Sequence, residues 1–168
     1  NYDNSSNIAN TVNVDSKVDL ASGAGPYCIA IGDIDGDGKP DIVDADYNGG
    51  TFSVLRNISS SGSISTGSFE SVVSYTSTAS VRSVTLGDID GDGKLDVILT
   101  DYGTNKISVF RNTSTSGSIS FAAKVDFTVG NLPTDAAIGD IDGDGMPDIA
   151  VTSYLTSFVY VLRNTSTV

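Results

Sequence analysis

The string GDIDGDGKPD spans Gly32–Asp41, and it returns as GDIDGDGKLD at Gly87–Asp96 and as GDIDGDGMPD at Gly139–Asp148. Read as D-x-D-x-D-G-x-x-D, each copy sets four carboxylates around one tight turn. They are Asp33, Asp35, Asp37 and Asp41; Asp88, Asp90, Asp92 and Asp96; and Asp140, Asp142, Asp144 and Asp148. Like charges this close repel unless a cation lies between them. A set of hard oxygen donors suits calcium, whereas magnesium keeps its waters and seldom takes a cage built wholly of protein. Position 7 is Lys39, Lys94 or Met146, side chains with no shared ligand chemistry, so it is expected to offer its backbone carbonyl. Gly38, Gly93 and Gly145 at position 6 permit the sharp turn. Ile34, Ile89 and Ile141 at position 2 are expected to point away from the ion and anchor the loop on the core. Three Ca²⁺ per chain would take the formal net charge from −12 by +6 to −6.

The likeness extends beyond the loops. Asp33, Asp88 and Asp140 lie 55 and 52 residues apart. After the loops come PDIVDADY, LDVILTDY and PDIAVTSY, then TFSVLRNIS, KISVFRNTS and FVYVLRNTS. Short β-rich runs alternate with Gly, Ser, Asn and Thr, and none keeps a helical period. In the middle unit the strands are expected near Arg82–Leu86, Leu95–Asp101 and Lys106–Arg111, with Phe69–Tyr75 or Ser120–Phe127 as the fourth. Repeats of this length with four strands apiece predict an all-β chain of three four-stranded propeller-type blades in one repeat domain, 1–168. Blade 1 is placed at about 26–75, blade 2 at about 81–127 and blade 3 at about 133–164.

The repeat is out of phase with the chain. Ser16–Asp33 matches Ala122–Asp140, so residues 14–20 (VDSKVDL) read as a fourth strand with no blade before them, while the third blade lacks its fourth strand. Three blades are too few for a closed ring, and an unpaired edge invites pairing. The expectation is head-to-tail assembly by strand exchange between copies of the chain, giving a ring or a filament. The other reading of the same phase is a piece cut from a longer propeller.

An EF-hand is rejected, because it needs helices and a Glu at position 12, which here is Asp44, Leu99 or Val151. The loops and the unit length resemble the FG-GAP/VCBS-type repeats of integrin α-chain propellers and of bacterial surface proteins. The resemblance implies a β-propeller with calcium in the loop joining the first and second strands of each blade, held by the twelve Asp residues named above. In place of the family's Phe-Gly and Gly-Ala-Pro strings stand AGPYCIAIGD, ASVRSVTLGD and NLPTDAAIGD.

Composition narrows the function. Nine Lys and Arg with no basic stripe argue against nucleic acid. No apolar run is long enough to span a membrane. No leader-like stretch opens the sequence and the first residue is Asn, which predicts a mature product or a fragment. Cys28, the one cysteine, lies in the apolar run YCIAI and reads as a small buried hydrophobe. With no His, one Glu (Glu70) and no carboxylate pair outside the loops suited to acid–base work, the chain is expected not to be an enzyme. Arg56, Arg111 and Arg163 recur after the third strand and are expected to pair with an Asp; Tyr47, Tyr102 and Tyr154 recur after the second, as edge packing or a sugar-stacking surface. Asn4, Asn57, Asn112 and Asn164 each open an Asn-x-Ser/Thr triplet and are candidate glycosylation sites. The expectation is an extracellular or cell-surface, calcium-stabilised scaffold with a structural or adhesive role. The alternatives are a lectin-like module binding glycans or cell-surface proteins, or a fragment of a larger surface adhesin.

Overall fold

The computed structural model describes residues 13–78 and 80–166. They form eleven strands in three antiparallel sheets and no α-helix. Sheet 1 holds β1 (Pro26–Gly32), β2 (Asp41–Asp46), β3 (Thr51–Leu55) and β4 (Val73–Thr76). Sheet 2 holds β5 (Val81–Gly87), β6 (Asp96–Asp101), β7 (Lys106–Phe110) and β8 (Val125–Thr128). Sheet 3 holds β9 (Pro133–Gly139), β10 (Asp148–Ser153) and β11 (Val159–Leu162). Each sheet is a meander whose neighbours follow one another in sequence.

Sheet 2 lies between the other two, and its strands show it. Every residue of β6 is buried, so its apolar run is continuous rather than alternating. Val97 and Leu99 pack with Phe110, Val84 and sheet 1's Val43, Ala45, Phe52 and Val54. On the other face, Ile98 and Ile107 pack with Ala136, Ile149 and Val151 of sheet 3. The first junction also holds an aromatic cluster. The Phe52 ring lies 5.0 Å from Tyr75, 4.9 Å from Phe110 and 5.3 Å from Phe121.

One expectation needs correction. The fourth strand of the middle unit begins at Val125, not Ser120. Residues before it are held by isolated bridges, Asn112 to Phe121 and Thr115 to Ser118, because the Ser-Gly turn at 116–117 folds that stretch back between sheets 1 and 2. Residues 14–20, expected as a strand on pairing with another copy, are in no strand within the single chain. Val18 and Leu20 instead line a groove of about 810 Å³ with Ile42, Asn57, Ile64 and Phe69 on the outer face of sheet 1. Cys28 is half-buried, its Sγ 3.9 Å from Ser83 Oγ.

Candidate metal centres

Each Asp-rich loop joins the first and second strands of its sheet: β1 to β2, β5 to β6 and β9 to β10. Two glycines bend each loop through positive φ. Gly38, Gly93 and Gly145 adopt 86°, 85° and 89°, and Gly36, Gly91 and Gly143 at position 4 adopt 72°, 78° and 81°. The motif shows the glycine at position 4 as plainly as the one at position 6, and both are needed for the bend.

The turn is knitted by its own carboxylates. Asp33 Oδ1 accepts from Asp37 N at 3.1 Å and its Oδ2 from Gly38 N at 2.8 Å. Asp88 and Asp140 repeat this on Asp92 and Gly93, and on Asp144 and Gly145. The amides of Lys39, Lys94 and Met146 donate to Asp37, Asp92 and Asp144, each at 2.9 Å. The side chain at position 7 is therefore dispensable to the turn.

Position 9 has a job that composition did not reveal. Asp41 accepts from Ile34 N at 3.0 Å and from Asn57 N at 2.8 Å, bracing the loop to the end of β3. Asp96 does the same for Ile89 and Asn112, and Asp148 for Ile141 and Asn164. Burial pushes the carboxyls of Asp41 and Asp96 up, the two backbone amides oppose this, and the two neighbouring loop carboxylates add to the rise.

The ligand geometry fits a hard cation. Carboxylate oxygens of Asp33, Asp35 and Asp37 lie within 4.8 Å of one another, as do those of Asp88, Asp90 and Asp96 and those of Asp140, Asp142 and Asp148. Three convergent charged oxygens without nitrogen or sulfur suit calcium. The remaining carboxylates, Asp41, Asp92 and Asp144, stand beside these groups as the braces and turn acceptors described above.

The recurring arginines meet the loops. Arg56 Nε lies 2.5 Å from Asp35 Oδ2 and its Nη2 2.7 Å from Asp37 Oδ2, with Glu70 on the remaining nitrogen at 3.1 Å. Burial pushes the Asp35 carboxyl up, but Arg56 and the amides of Gly117 and Asp37 more than offset it, leaving it below the usual range. Arg163 pairs with Asp142 and Asp144, and it lowers Asp142. Arg111 is looser, 3.9 Å from Asp90.

The three asparagines after β3, β7 and β11 are structural in the folded chain. Asn112 Nδ2 donates to Leu95 O at 2.9 Å and, across the junction, to Ile34 O at 2.8 Å. Asn164 Nδ2 donates to Pro147 O at 3.0 Å and across to Ile89 O at 2.7 Å. Asn112 is fully buried, so the folded chain offers no free amide proton there for a glycan. Asn57 Nδ2 donates to Pro40 O at 2.8 Å, and Asn4 lies outside the described residues. On the opposite rim, Tyr27, Tyr47 and Tyr102 form a row with ring centroids 5.7 and 6.4 Å apart, and Arg82 lies over Tyr27 and Tyr102.

Residues 88–151, from the second loop to β10, match the family model of the FG-GAP-like repeat. Comparison with curated proteins finds no match.

Proposed function

We propose that this chain, an FG-GAP-type repeat protein, is a non-catalytic, extracellular, propeller-type scaffold stiffened by calcium. It assembles head-to-tail with other copies of itself into a filament or ring of structural or adhesive role. The observation that carries the reading is the convergence of three aspartates per loop, once in each sheet and always at the same first-to-second-strand bend. Calcium, when bound, supplies the positive charge that lets these carboxylates stay close and ionised. The chain's own residues supply the rest. Glycines bend the loop, position 9 ties it to the third strand, and the arginine neutralises oxygens on its outer side. Among the described residues no helix is long and apolar enough to cross a membrane. Loops of this kind fill where calcium is millimolar, which favours the outside of the cell.

Thermal melting tests this reading. Saturating calcium raises Tm well above its value in excess chelator, and magnesium does so less, because ligand binding to the folded state stabilises by mass action. Equal melting in calcium and chelator would refute it. The tyrosine row with Arg82 favours a second reading, a lectin-like face that stacks sugars. A glycan array probed with the wild type and with Tyr27→Ala decides it: binding lost in the variant supports the lectin, and no binding by either rejects it.

A further inference from the structure

The two junctions between sheets repeat the same three contacts, and each contact leaves one unused half at either end of the stack. The first is a knob over a glycine. A Cβ on Gly32 would lie 2.6 Å from Leu95 and 2.9 Å from Leu86, and one on Gly87 would lie 2.8 Å from Ile138. The side chains of sheet 2 and sheet 3 therefore rest directly on those backbones. A Cβ on Gly139 would meet nothing within 4 Å. The residue that corresponds to Leu86 and Ile138 in sheet 1 is Ile31, which is 66% exposed.

The second contact is the amide stitch. Asn112 reaches back to Ile34 O and Asn164 to Ile89 O. The corresponding Asn57 has only its own loop's Pro40 O, and nothing reaches the carbonyl of Ile141 from a following sheet among the described residues. The third is the loop isoleucine. Ile34, roofed by sheet 2, is 2% exposed, while Ile141 is 58% exposed. Ile89, beneath sheet 3, is intermediate.

We propose that sheet 1 of a second copy completes sheet 3 through these same contacts, with Ile31 on Gly139, Asn57 Nδ2 on Ile141 O, and β11 in the groove beneath residues 14–20. This inference rests on the head-to-tail reading above and gives it a register. In sheet 2, Val109 stands opposite Val125 and Ile107 opposite Phe127. By the repeat, Val161 of one copy stands opposite Val18 of the next, and Val159 opposite Leu20. The groove already has the shape for it. Tyr75 of β4 packs against Phe121 of the following unit, ring centroids 5.0 Å apart. Leu20, the counterpart of Tyr75, shares the groove with Phe69, the counterpart of Phe121, and β11 fills the space between segment and sheet. The occupant is a second copy of this chain, because its two exposed faces carry the matching halves of an interface the molecule builds twice internally. The contact is heterologous, so it makes a ring where the rotation closes and a filament where it does not.

Cysteine pairs in a Cys28→Ser background test the register on the full chain. Directly opposed Cβ atoms on neighbouring strands lie near disulfide distance, whereas a two-residue offset does not. Val18→Cys with Val161→Cys yields a ladder of linked copies on a non-reducing gel, and Leu20→Cys with Val161→Cys yields several-fold less. Gly139→Leu, whose side chain enters open space in the single chain, keeps the circular dichroism of the wild type and weakens association more than about tenfold. Equal ladders from the two pairs, a disulfide within one chain, no ladder, or wild-type association of the Gly139 variant would each overturn the inference. Calcium titration of the same samples separates the two readings: three ions bound with no ladder removes this interface and leaves the calcium scaffold standing.

Discussion

Sheets 1 and 2 meet over four aromatic rings, whereas sheets 2 and 3 meet over isoleucine, valine and alanine with a cavity of about 270 Å³ beside them. The loops differ in the same sense. Arg56 of the first loop is 15% exposed and its partner Asp35 fully buried, whereas Arg163 of the third is 58% exposed. The loop sequences are nearly identical, so the loop is not the cause. Residues of the following unit finish the first loop: Gly117 N donates to Asp35 at 2.8 Å, and Asn112 reaches Ile34. Each unit supplies an Asp-rich loop, and the first is buried by the unit that follows it.

The largest test of this contrast is the junction itself. Phe52→Ala removes the ring shared by three others and should cost about 3–5 kcal/mol, against about 0.5–1.5 kcal/mol for Ile107→Val at the second junction. Urea unfolding at fixed calcium measures both, and equal losses would erase the distinction. Next comes the brace. Asp96→Ala leaves the amides of Ile89 and Asn112 without their acceptor, at about 1–3 kcal/mol for each amide left buried and unpaired. Asp92→Ala frees only the exposed Lys94 amide, so in chelator it should be the milder change. A smaller difference separates the arginines. Arg56→Met should lower Tm in chelator more than Arg163→Met, and only the second effect should vanish in high salt, since exposed pairs are screened.

The smallest effect concerns the outer face of sheet 1. Burial pushes the Asp44 carboxyl up to about 6, with Ser22 opposing and Asp46 adding to the rise. The unfolded chain releases this proton near the ordinary value of 3.8. Between these two values the folded state holds the extra proton, so this group's contribution to stability falls as pH rises from about 4 to about 6 and is level above. Asp44→Asn should flatten that decline and raise Tm at pH 7 while changing it little at pH 4. A variant less stable than wild type at both values would contradict the assignment.

Much of this was legible in the sequence. The Asp-Gly repeat located the three bends, and β-branched runs located the strands after them, because both are local signals. The arginine partners were foreseeable too, since Arg56, Arg111 and Arg163 recur at fixed distance from the loops. What escaped depends on contacts between units. The Asn57, Asn112 and Asn164 triplet was visible as a repeat, open to reading as turn residues or as sequons, but nothing in one unit says that the amide crosses to the carbonyl of another. That the aspartate at position 9 also braces the loop escaped because its two amide partners, one of them 16 residues away, come together only after β2 pairs with β3. Phe121 read as part of a strand because its role lies in the gap between two sheets.

The central claim is that clustered aspartates hold metal at each first-to-second-strand bend. Isothermal titration of metal-free protein with calcium tests it most directly. The account predicts three ions per chain, falling to two in Asp88→Ala with the fold retained. No heat of binding, or a count unchanged by that substitution, would contradict it.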